Sequence, residues 1–298
     1  MFLSALPPDD TSRAQAEESF RRPAIFQKVC ARELAARVSE ARARLGTAPG
    51  DAVALLSSAC ADDPSEPTFR LDLAEALVAA GESERALVVL DETVSSGSLT
   101  RPLRGRAASL EASIHARAAR LVQAQSALAR AEAAATEDGD LRTARAKQRA
   151  LGDEAARSTI GRVLFGDERG RPLDAGLVIY LVTEFARRSP DEALGPYLLA
   201  RQLVARDAKL ALPYLNEACP LVGAQKPMPL DSLFLKECRR LLGEAAYLAG
   251  DLATSHNAYG WLAEHAERES DRLRAQDFLQ RVAWKKFSLM PTAAVPDW

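Results

Sequence analysis

The chain is expected to be all-α, a superhelix of antiparallel helix pairs that turns irregular in its middle. Three observations predict this. Along most of the sequence, apolar residues recur at three- to five-residue steps, the spacing that gathers them on one face of a helix. Breaks rich in Gly, Asp and Pro cut that pattern into short lengths, and paired short helices must fold back on each other to bury their stripes. The run Gly176–Val182 could pass for a buried strand. It belongs, however, to the longer frame Leu173, Leu177, Leu181 and Phe185, which has helical spacing, and no partner strand is evident.

Residues 1–22 read as a lead-in with a short helix from Thr11 to Arg22, stopped by Pro23. Helical repeats are expected over 23–160. A long helix, Ala24 to Leu45, carries Ile25, Val29, Leu34, Val38, Ala41 and Leu45, and Gly46–Gly50 breaks it. Asp51 is placed to cap a helix running through Ala61. Pro67 to Val94 forms a pair around Gly81-Glu82-Ser83, because glycine accepts the left-handed conformation that closes a helix. A second pair covers 102–137 and turns near Ala116–Ala119 without a glycine. Residues 141–160 hold Ala, Arg and Glu with little large apolar content, which predicts an exposed or connecting helix.

Residues 161–287 are expected to hold a second set of repeats, with Gly161–Arg171 as a surface loop. Leu194 to Cys219 forms a pair turning near Asp207, and Pro220 with Lys226–Pro229 forms a rigid connection. The next pair occupies 236–265 and turns at Gly250-Asp251. A helix from Ser270 to Phe287 closes the array as a charged cap, and 288–298 is a tail.

The pair at 236–265 resembles a tetratricopeptide repeat. Leu242-Gly243, Gly250-Asp251 and Tyr259 fall at that family's leucine-glycine, turn-glycine and large-aromatic positions, with Ser255 at its small residue and Leu262 where Ala is common. Residues 67–94 are similar through Leu73-Ala74, Gly81, Ala86 and Leu90, and 193–220 more loosely through Leu199-Ala200, Ala211, Leu215, Ala218 and Pro220. The resemblance implies a right-handed solenoid whose first helices line a concave groove. Carried onto this chain, it makes Tyr197, Arg201, Glu237, Arg240, Glu244 and Tyr247 the partner-binding candidates, and Tyr and Arg commonly dominate protein interfaces. Tyr197 and Tyr247 have an alternative role, packing against neighbouring helices. The groove lacks the Lys and Arg cluster that receives acidic C-terminal peptides in members of the family.

Composition narrows the function classes. A formal net charge of −2 gives no global pull toward nucleic acid or anionic membrane. Aromatic residues make up 6% of the chain, few for stacking platforms. No apolar run reaches the ~20 residues of a membrane span. The N-terminus lacks a basic region ahead of an apolar one, so a cytoplasmic protein is expected if Met1 is the natural start. Cys30, Cys60, Cys219 and Cys238 form no CxxC. They read as buried small hydrophobes in a reducing compartment, with a zinc site the weaker reading.

Chemical motifs are equally sparse. Gly161–Gly166 spaces two glycines like a phosphate loop, but Asp167 stands where lysine is needed. His115, His256 and His265 lack ligand spacing. Asp62-Asp63 and Glu137-Asp138 sit in helix breaks, where acids cap and turn chains. No catalytic residue, metal or cofactor is therefore expected. The expected function is a non-enzymatic scaffold or adaptor that binds a protein or peptide segment in its groove. The alternative is an accessory module of a larger enzyme or of a secretion or envelope assembly.

Overall fold

A computed structural model describes residues 31–224 and 232–288, and among them the regular structure is helical, with no strand. The expected lead-in and Thr11–Arg22 helix, the Lys226–Pro229 connection and the tail lie outside the described residues. The chain divides into two compact units after Ile114, with the loop Glu168–Arg171 grouped with the first.

The first unit contains α1 (31–44), α2 (Pro49–Asp62), α3 (Pro67–Ala79), α4 (Ser83–Ser95) and the start of α5 (Arg101–Arg117). Proline opens α2 and α3, where a missing N–H costs nothing. Glu66 caps α3 by accepting from the Thr68 amide at 3.0 Å. Ala48 rather than Asp51 stands at the N-cap of α2; Asp51 lies in its first turn, where a carboxylate still favours the helix dipole. Gly81, at φ 87°, makes the expected turn into α4. One apolar layer joins Val38 and Ala41 to Ala52, Leu56, Ala59 and Ala76, and a second joins Leu71, Ala74 and Leu77 to Ala86, Leu90 and Ile114.

Asp72 sits inside this unit with its side chain only 2% exposed. It accepts from Arg42 of α1 at 2.8 Å and from Arg106 of α5 at 2.6 Å, and Arg106 also reaches Glu75. A buried carboxylate is tolerated because both oxygens are met by charged donors. Burial alone would depress Arg106; its hydrogen bonds to Glu75 and Asp72 outweigh that and raise it above the ordinary guanidinium value.

The second unit holds α6 (Leu121–Ala134), α7 (Asp138–Ala150), α8 (Glu154–Ala156), a π turn (Arg157–Gly161), α9 (Arg162–Phe165), α10 (Ala175–Arg188), α11 (Leu194–Val204), α12 (Ala208–Ala224), α13 (Ser232–Ala249), α14 (Leu252–Glu264) and α15 (Glu269–Ser288). From α10 onward each helix packs on the next. The glycine-free turn before α6 is made by Ala119, a non-glycine residue at φ 55°. Gly195 lets α11 approach α10 closely: a Cβ there would stand 3.0 Å from Phe185 Cδ1 and 3.2 Å from Ala186 Cβ.

Four expectations are corrected here. Residues 141–160 are not an exposed connector; Ala144, Ala146, Ala150, Ala156 and Ile160 are buried, because small side chains let these turns lie close against the core. The segment expected as a loop from Gly161 stays helical through Phe165, and the loop begins at Gly166. Pro220 does not end its helix. It lies with Pro213 inside α12, which is held between α11 and α13, so packing offsets a local cost of ~3 kcal/mol. Cys219 and Cys238 are buried as expected, but they are joined in a disulfide between α12 and α13, with Cα atoms 5.6 Å apart. Cys60 is the free thiol among the described residues.

Candidate functional site

A cleft of about 430 Å³ lies between α7, α13, α14 and α15 in the second unit. Its apolar wall is Tyr259 and Leu262 from α14 with Ala275 and Phe278 from α15. Its polar wall is Asp138 and Arg142 from the start of α7, Lys236, Glu237 and Arg240 from α13, and Asp271 and Arg274 from α15. Tyr259 and Phe278 stack with ring centroids 4.6 Å apart, which fixes the apolar floor. Burial pushes the Tyr259 hydroxyl up to about 12, and nearby Glu244 adds to the shift, so the ring carries a neutral hydroxyl over the ordinary pH range.

The tetratricopeptide-like positions explain this geometry from the chain upward. Gly243 is the small residue on α13 that faces α14. A Cβ there would lie 2.8 Å from Tyr259 Cε2, so the absence of a side chain makes room for the aromatic ring. Ser255 donates to the Gly243 carbonyl at 2.9 Å and ties the two helices at the same level. Asp251 caps α14 by accepting from the Thr254 amide.

At the centre of the polar wall, Glu237 accepts from Arg240 through two bonds, both 2.9 Å, and Arg240 also donates to Glu244 at 2.9 Å. Arg142 approaches Glu237 from α7 at 3.9 Å. Burial raises the Glu237 carboxyl, but the hydrogen bonds and charge of Arg240, with the fields of Arg142 and Arg201, win, and the group is held below the usual carboxylate range. Lys236 is paired with Glu267 at 2.7 Å. Arg274 is exposed on the rim.

The six candidate residues divide among three places. Glu237 and Arg240 line the cleft, and Glu244 extends their ion-pair ladder. Tyr197 is buried in the core, edge-on to Phe234 with centroids 5.5 Å apart, and its hydroxyl has no hydrogen-bond partner among the described residues. Arg201 is exposed one turn further along α11 and contributes its charge near Tyr197 and Glu237. Tyr247 lies under Lys285 of α15, whose ammonium is 4.2 Å from the ring centroid and donates to the Tyr247 carbonyl. Sequence reasoning did not single out Arg142, Leu262, Arg274 or Phe278 as site residues. Leu262 carried a signal through its place in the repeat register; Arg142 carried none, because its contact with α13 is between helices far apart in sequence.

The fold and its small-residue contacts define a TPR-like helical-repeat protein. Residues 47–97, which span α2 to α4, match the tetratricopeptide repeat family. Tetratricopeptide repeats serve as protein-protein interaction modules, and no described helix is long and apolar enough to cross a membrane. The crystal structure of the P58(IPK) TPR domain is similar to this chain at 14% sequence identity and a TM-score of 0.35; the match covers 86% of this chain and 66% of that one, just under two thirds of its length. None of the curated proteins matches the chain.

Proposed function

We propose that this chain is a non-enzymatic scaffold or adaptor whose second unit holds a segment of a partner protein in the α7–α13–α14–α15 cleft. The observation that carries the reading is the pairing of walls. An apolar floor of Tyr259, Leu262 and Phe278 faces a rim of Arg142, Lys236, Arg240 and Arg274. An amphipathic segment would lay its apolar side chains on that floor and its polar side chains and backbone carbonyls toward the rim. The guanidinium of Arg240, already oriented by Glu237 and Glu244, costs little side-chain entropy when it binds.

The experiment is direct binding of a partner, captured from native extract and then purified, to the chain and to its Leu262→Asp and Arg274→Glu variants. Each substitution is expected to weaken binding at least ~10-fold, in line with loss of an interface anchor, while circular dichroism stays unchanged. Unaltered affinity in both folded variants would move the binding surface away from this cleft.

A further inference from the structure

Helix α15 is apolar on two opposite faces. Ala275, Phe278, Leu279 and Val282 turn toward the unit, and the stretch packs on α14. Leu273, Trp284 and Phe287 lie on the other side and are 56%, 75% and 73% exposed. At about 100° per residue these three fall within a stripe roughly 60° wide and about 21 Å long, with exposed Gln276 and Gln280 between them. A charged terminal cap that only met water would have no reason to carry a Trp and a Phe there. Among the described residues nothing covers them.

We propose that this stripe is the interface for a second copy of the chain, with two α15 helices packed antiparallel about a two-fold axis at Gln280. The stripe is self-complementary in that arrangement: Leu273 of each copy meets Phe287 of the other, and Trp284 packs over Gln276. Asp277 and Arg281 flank the stripe on one side, and a two-fold axis of this kind keeps that side in register, so Asp277 of one copy comes within reach of Arg281 of the other. A single helix pair makes a small interface, near the ~1,200 Å² lower bound of specific complexes, so a reversible dimer is expected.

The test is sedimentation velocity on the purified full chain over roughly 5–200 μM, the range where interfaces of this size associate. The expected result is a concentration-dependent species of twice the 32.2 kDa chain mass. Trp284→Glu and Phe287→Glu, each checked for unchanged circular dichroism, should abolish it. Gln280→Cys, in a background lacking Cys30 and Cys60, should give a covalent dimer on mild oxidation and Gln276→Cys should not, since residue 280 meets itself in the antiparallel pair whereas residue 276 meets itself only in a parallel one. A monomer at all concentrations overturns the proposal, as does a dimer that survives both charge substitutions. A dimer that Trp284→Glu disrupts but Gln280→Cys cannot cross-link overturns the antiparallel geometry.

Discussion

Gly243 and Tyr259 are matched in shape: the ring occupies the space that a side chain at residue 243 would need, at 2.8 Å from an added Cβ. Tyr259 is buried and stacked on Phe278, so it has little freedom to retreat. Gly243→Ala is therefore expected to destabilise the chain by about 1–3 kcal/mol, the usual penalty of overpacking, against the small gain in helix propensity that Ala brings. Urea denaturation measures it. In a Tyr259→Leu background the same substitution should cost much less, and an equal cost in both backgrounds would show that the ring is not what Gly243 accommodates.

The Asp72 network gives an ordering. Arg106→Ala removes donors to two carboxylates from a side chain 35% exposed, whereas Arg42→Ala removes a donor from one 54% exposed. Arg106→Ala should cost about 2 kcal/mol, in the range for hydrogen bonds to a buried charge, and Arg42→Ala less. Thermal or urea unfolding of both variants checks the order, and the reverse order would contradict the geometry described for α1, α3 and α5.

Lys147 supplies a pH dependence. Burial, with the nearby charge of Arg117, lowers its ammonium to about 8, and its Nζ lies 5.4 Å from the Phe165 ring centroid. Between about pH 8 and 10.5 the unfolded chain holds a proton at this residue that the folded chain has released, so stability from this group rises with pH across that window. Lys147→Met is expected to stabilise the chain at pH 7 by on the order of 1–3 kcal/mol, with the gain shrinking by pH 10. A variant less stable than the parent at pH 7 would mean that the ammonium's contacts outweigh its desolvation.

The disulfide predicts a thiol count. Unfolded without reductant, the chain should titrate at most two of its four cysteines, with Cys219 and Cys238 unreactive and Cys60 reactive. Closing a loop of sequence separation 19 is worth about 3 kcal/mol through the unfolded state, so Cys238→Ser should lower the urea midpoint accordingly. Four reactive thiols would contradict the bridge.

What the sequence revealed follows the range of each interaction. The turns at Gly81 and Gly250-Asp251 were readable because their signal is local, a glycine in the left-handed conformation at the end of the first helix of a pair; that Tyr259 fills the space beside Gly243 within the same pair was not. The helical reading of Gly176–Val182 was readable from its period. Pro220 misled because local propensity argues for a stop and the packing of α12 overrides it. The Cys219–Cys238 bridge and the Arg142–Glu237 approach join residues that no short spacing relates, so the α7 side of the cleft's polar wall was hidden. Glu237 and Arg240 were found through the repeat register. Tyr197 and Tyr247 share that register, yet packing assigns one ring to the core and the other to Lys285.

The most direct measurement of the central claim is photo-cross-linking. A photoreactive amino acid placed at Leu262 in the cleft, or at exposed Tyr180 and Leu210 elsewhere in the second unit, would be irradiated with the purified partner. The account predicts a covalent adduct from position 262 and none from 180 or 210. Adducts from 180 or 210 with none from 262 would contradict it.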